Sequence, residues 1–125
     1  VEHERHFTVE EANAELDLIR DRLVRLRAAR EGLTDEEARA ELAEATPSNG
    51  GGRAGKVVSD GFLALRSILA ELQGMGVIVR DLDRGLVDFP SLRDGREVYL
   101  CWVEGEDEIE YWHDIDSGFS GREPL

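Results

Sequence analysis

Cys101, His113, Asp114 and Asp116, with Glu104 nearby, are the residues whose types could do chemistry together in this chain. A thiolate, an imidazole and a carboxylate suit a borderline transition metal such as zinc or nickel, and the set read for it is Cys101, His113 and Asp116. The same residues permit a second reading, with Cys101 as nucleophile, His113 as base and Asp114 or Asp116 orienting it. A cysteine in mid-strand lacks the helix N-terminus that usually lowers a thiol pKa, which ranks this reading below metal. The plainer account is a lone cysteine acting as a small buried hydrophobe beside a hydrogen-bonded structural histidine. Neither a Cys-x-x-Cys nor a His-Glu-x-x-His spacing is present to favour metal independently.

Strand register decides between these accounts. Three residues between Glu104 and Glu108 would make Cys101 and His113 diagonal neighbours on one face. A two-residue turn would pair Cys101 with Trp112 and send His113 to the other face. The sequence leaves both open.

A second group surrounds the turn Arg84-Gly85. Asp81, Asp83 and Asp88 could hold a hard cation or act as paired carboxylates, but EF-hand spacing is missing, and Asp at strand ends more often bonds to turn amides. Arg80, Arg84, Arg96 and Arg122 would pair with these carboxylates or bind an anionic ligand. Trp102, Trp112, Tyr99 and Tyr111 lie on adjacent strands and cannot all point inward, so some would serve an interface or a groove. The ligand-binding set read from this region is Asp81, Arg84, Asp88, Trp102, Trp112 and Arg122. His3 and His6 precede the first helix, in a stretch read as mobile up to Phe7, and are taken as incidental.

The elements that must position these residues follow from periodicity. Thr8 to Glu11 spells a capping box, and Ala12, Leu16, Ile19, Leu23 and Leu26 form one apolar stripe, predicting a helix from 9 to about 31. Gly32 interrupts it at a cost of about 1 kcal/mol against Ala, so a short second helix from Asp35 is preferred to continuation. The stretch 46–55 is Gly-rich and reads as a flexible connection without a phosphate-loop signature. Val58, Phe62, Leu65, Leu69 and Leu72 predict a further helix over 56–74. The two long helices are expected to pack as an antiparallel hairpin over 8–76.

Beyond Gly76 the period falls to two. Strands are predicted at 77–82, 86–89 (stopped by Pro90), 97–103 and 109–115, an antiparallel meander over 77–116 followed by a coil tail over 117–125. The fold class is α+β, read as a single domain of 125 residues with three to four strands.

The formal charge of −13 excludes a nucleic-acid binder, which needs clustered Lys and Arg. One cysteine forms no internal disulfide, no apolar run spans a bilayer and no signal peptide is visible, so a cytoplasmic setting without membrane contact is expected.

The strings F-T-V-E-E-A-N, V-R-D-L-D-R-G-L-V-D-F-P, V-Y-L-C-W-V-E-G-E and Y-W-H-D-I-D-S-G-F-S-G-R-E-P-L span nearly the whole chain. In them the chain resembles a bacterial family designated domain of unknown function 2203. The insert around 33–55 departs from the family pattern, so the resemblance gives it no part in a shared site. The function expected is a non-enzymatic binding or accessory module, metal-binding through its C-terminal sheet, that self-associates as a homo-oligomer (a dimer) or meets a protein partner. The alternative is a small hydrolytic or metal-dependent enzyme using Cys101, His113 and Asp116.

Overall fold

Thr8 and Glu11 open the first helix as their types predict. The Glu11 amide donates to Thr8 Oγ1 at 3.1 Å while the Thr8 amide donates to Glu11 Oε1 at 3.0 Å. A computed structural model of the protein describes residues 3–34 and 53–125. Helix α1 covers Val9–Thr34, and helix α2 covers Arg53–Met75. The α1 helix runs through Gly32, so that residue does not end it; tertiary burial of the stripe outweighs one unfavourable propensity. The short helix read from Asp35 and the Gly-rich connection as far as Gly52 lie outside the described residues. Arg53 to Gly55, read as the end of that connection, are the first turn of α2.

Five strands follow: β1 (Ile78–Asp81), β2 (Leu86–Arg93), β3 (Arg96–Val103), β4 (Tyr111–Asp114) and β5 (Glu123–Pro124). They form one antiparallel meander in chain order. The fifth strand corrects the expected coil tail. Pairing of Tyr111 with Pro124, and a bond from the Leu125 amide to the Glu110 carbonyl at 2.9 Å, give the open edge of β4 its partners. Proline is tolerated there because the strand is an edge.

Pro90 does not stop β2, which continues to Arg93. The Pro90 carbonyl accepts from the Phe7 amide at 2.7 Å, so the backbone of Pro90 faces away from β3. Its missing N–H therefore removes no rung between β2 and β3. Past Arg93, Asp94 and Gly95 both take positive φ (53° and 77°) and form a two-residue hairpin turn that pairs Arg93 with Arg96.

The chain forms two compact units, one of Val1–Leu23 with Glu71–Leu125 and one of Val24–Ala70. In the first, Ala12, Leu16, Ile19 and Leu23 of α1 are buried, as are Val87, Phe89, Val98, Leu100 and Trp102 of the sheet. Phe7 meets Phe89 edge to face, Arg20 lies over the Trp102 ring, and Asn13 Oδ1 accepts from the Ile109 amide at 2.7 Å. These contacts place α1 on the Trp102 face of the sheet. The α1 stripe up to Leu23 is thus buried in the same unit as the sheet and the end of α2, whose Leu72 is also buried. Within this unit Arg22 forms a two-pronged ion pair with Glu71 of α2 at 2.6 and 3.0 Å, and Arg5 donates to the Met75 carbonyl at 3.0 Å. In the second unit Phe62, Leu63 and Leu69 of α2 stay exposed.

Candidate metal centre

The turn at Asp94-Gly95 fixes what faces what. With Arg93 opposite Arg96, counting back places Asp88 directly opposite Cys101. Across the next interface Cys101 pairs with Tyr111 and Tyr99 with His113, so His113 is the diagonal neighbour of Cys101. This is the register of the three-residue alternative. Asp88, Cys101 and His113 therefore share one face of the sheet, opposite the Trp102 face that α1 covers.

All three are buried, at 2%, 0% and 2% exposure. One ligand atom from each lies within 4.8 Å of the other two, the one such group of three among the described residues. Tetrahedral ligands bound at roughly 2.0–2.3 Å stand roughly 3.3–3.8 Å apart, so small side-chain adjustments would close the set around an ion.

The hydrogen bonds prepare His113 for this. Its Nδ1 lies 2.7 Å from the Asp114 carbonyl, which can only accept, so Nδ1 carries a proton. Nε2 is left facing Asp88 Oδ1 at 3.0 Å. With a proton on Nε2 the ring donates to Asp88 as an ion pair; without one it offers a lone pair toward the carboxylate. A proton or a cation must lie between them. The Asp114 carbonyl also accepts from the Ser117 amide and hydroxyl, both at 3.2 Å, which ties the anchor down.

Asp88 uses its second oxygen as well, accepting from Arg80 Nε at 2.9 Å. Burial works against the Arg80 charge, but the Asp88 hydrogen bond and charge outweigh it, and the guanidinium pKa is raised. Burial also pushes the Cys101 thiol up to about 12, reinforced by the Asp88 charge and opposed by Arg122. A free thiol here is a poor nucleophile at neutral pH.

The three residues line a cleft of about 340 Å³ with Arg80, Leu86, Ile115, Asp116, Gly118 and Phe119. Asp116, read from sequence as the third ligand, is exposed at this cleft and lies outside the close cluster; Asp88 occupies that place. Asp114 pairs with Arg96 at 3.0 Å, and the Glu104 side chain abuts Gly85. Of the ligand-binding set, Asp88 is at the centre. Trp102 and Trp112 lie on the opposite face, almost wholly buried. Asp81 Oδ1 accepts from the Arg84 amide at 3.1 Å, a turn bond, and Arg84 lies over Phe119. Arg122 donates to the Cys101 carbonyl and to Glu106, and covers Tyr111 and Phe119. His3 and His6 are tied down, His3 to Tyr99 at 2.6 Å and His6 to Glu97 at 3.1 Å, so the stretch before Phe7 has partners on the sheet.

A family model described as uncharacterized conserved protein (DUF2203) matches residues 5–125. The chain belongs to the DUF2203 family. No curated protein and no solved structure matches this DUF2203 chain. Among its described residues, no helix is long and apolar enough to cross a membrane.

Proposed function

We propose that this DUF2203 protein is a non-enzymatic accessory module built around a transition-metal site, with Asp88, Cys101 and His113 holding a divalent ion such as zinc or nickel. One observation carries the reading: a buried carboxylate, thiol and imidazole converge within 4.8 Å, with the imidazole Nε2 turned inward. Nε2 facing Asp88 Oδ1 takes either a proton, which gives an ordinary ion pair, or a cation that both can ligate. A metal ion would take the second of these places and displace the thiol proton on binding. The Asp114 carbonyl and Arg80 are then the outer partners that orient His113 and Asp88.

Elemental analysis of protein purified without a His-tag tests this. One equivalent of metal is expected, with loss in Cys101→Ala and His113→Ala. Full retention in both variants would sink the assignment.

The reading of a small metal-dependent enzyme draws on the cleft beside the cluster, where the exposed Asp116 carboxylate could serve as a base toward a metal-bound water. Free-thiolate catalysis by Cys101 has no such support, given its raised pKa.

A further inference from the structure

The cleft beside the cluster does more than give access to an ion. The three ligand residues all line it, and they supply three of the four positions of a tetrahedral centre. No fourth ligand-type side chain joins them among the described residues. The fourth position of a held ion therefore opens toward the cleft.

The charges there select what it would take. A divalent ion with the Asp88 carboxylate, the Cys101 thiolate and a neutral His113 sums to zero. Arg80 adds one positive charge, held against Asp88 at 2.9 Å with its side chain 42% exposed. Arg122 donates to the Cys101 carbonyl at 3.1 Å but is ion-paired to Glu106 at 2.6 Å. Asp116 places one negative charge at the exposed mouth, where solvent screens it. The floor's single net positive charge thus matches a monoanion, and a dianion would leave one negative charge over beside Asp116. The walls are apolar: Leu86, Ile115 and Phe119. A volume of about 340 Å³ admits a small molecule, not a polymer segment.

We infer that the cleft binds a small organic monocarboxylate, one oxygen completing the metal's coordination beside Arg80 and the hydrocarbon body lying against Leu86, Ile115 and Phe119. This rests on the metal reading of the same cluster. It assigns Arg80, Asp116 and Phe119 roles that metal binding alone does not require.

Cobalt(II) reports both steps separately, since its visible bands follow coordination number and its thiolate charge-transfer band follows the sulfur. The intact protein would be loaded with cobalt and titrated with benzoate, acetate and inorganic phosphate. The expected result is a thiolate band on loading, then saturable shifts of the visible bands. Benzoate should bind several-fold tighter than acetate, and phosphate weakest. At metal saturation Phe119→Ala should remove most of the benzoate preference, Arg80→Gln should weaken both carboxylates several-fold, and Asp116→Asn should strengthen them. Failure of cobalt to bind would overturn the metal reading and this inference with it. A tetrahedral cobalt spectrum unmoved by any carboxylate would leave the metal reading standing and overturn the inference alone. Anion shifts confined to Asp116→Asn would show that Asp116 fills the fourth position, and phosphate binding tightest would name the wrong ligand class; either would overturn it.

Discussion

At the scale of single residues, Cys101 and His113 make opposite demands on their surroundings. The thiol is stable where it is because it stays neutral, while His113 is stable because both ring nitrogens have partners. With the thiol pKa near 12, Cys101 in the metal-free protein should react slowly with thiol reagents at neutral pH and speed up only as pH climbs toward that value. Fast labelling at pH 7 would contradict the burial that sets it. The sign for folding follows. The unfolded chain ionises this thiol near 9 and the folded one near 12, so its contribution is complete below about 9 and is lost as pH rises between the two. Cys101→Ala should flatten that alkaline decline in denaturation midpoints. His113→Ala is expected to cost about 2 kcal/mol, because Asp88 stays buried after losing its contact with Nε2. Urea unfolding measures it, and a neutral result would mean that water replaces the ring.

Much of this site was legible in the residues, though not the whole of it. The pairing of Cys101 with His113 is one of two registers that the residue count allows. The set read from sequence takes Asp116, nearer in the chain, while Asp88 is the carboxylate that stands within 4.8 Å of Cys101 and His113; chain distance is a poor guide across a meander. A signal was nonetheless available: Asp94-Gly95 is a two-residue turn signature, and taking it so places Asp88 opposite Cys101 by counting. Asp88 is also the polar interruption in an otherwise apolar strand, Leu86 to Pro90. Arg80 is read from sequence as a partner for Asp81, Asp83 and Asp88 and pairs with Asp88; its placement follows a bulge between Val79 and Asp81 that shifts the register there.

At the scale of elements, the helix start and the turns were legible because their determinants are local. Thr8→Ala should cost about 1 kcal/mol by removing the cap. The Glu11 carboxyl is lowered by its backbone and side-chain bonds to Thr8, so what stabilisation it gives is present above the usual carboxylate range and is lost on acidification through its lowered value. Gly85 is a different case. A Cβ there would stand 2.5 Å from Glu104 Cβ, at a φ of 66°. Gly85→Ala should lose about 2 kcal/mol or more, read as a lowered midpoint in thermal unfolding. The α1 stripe was legible as a buried face from its spacing alone. Pro90 was not, since its meaning depends on which side of β2 carries a neighbour.

At the scale of the molecule, the exposed Phe62, Leu63 and Leu69 on α2 are the apolar residues that a self-association proposal would use. A Phe62→Glu, Leu69→Glu double variant should lower the mass measured by light scattering if copies join there, and an unchanged monomeric mass in the parent protein would dismiss it. The sheet offers a consequence of another kind. Its outer face is assembled by parity: the two-residue Asp94-Gly95 turn alone decides that Asp88 and Cys101 are opposite one another. Inserting one residue into that turn would leave every proposed ligand in the chain yet oblige the hairpin to choose between its apolar core face and its ligand face. The core would win, absorbing the extra residue as a bulge. Ion capacity after such an insertion thus becomes a ruler for hairpin alignment, readable with no change in ligand composition.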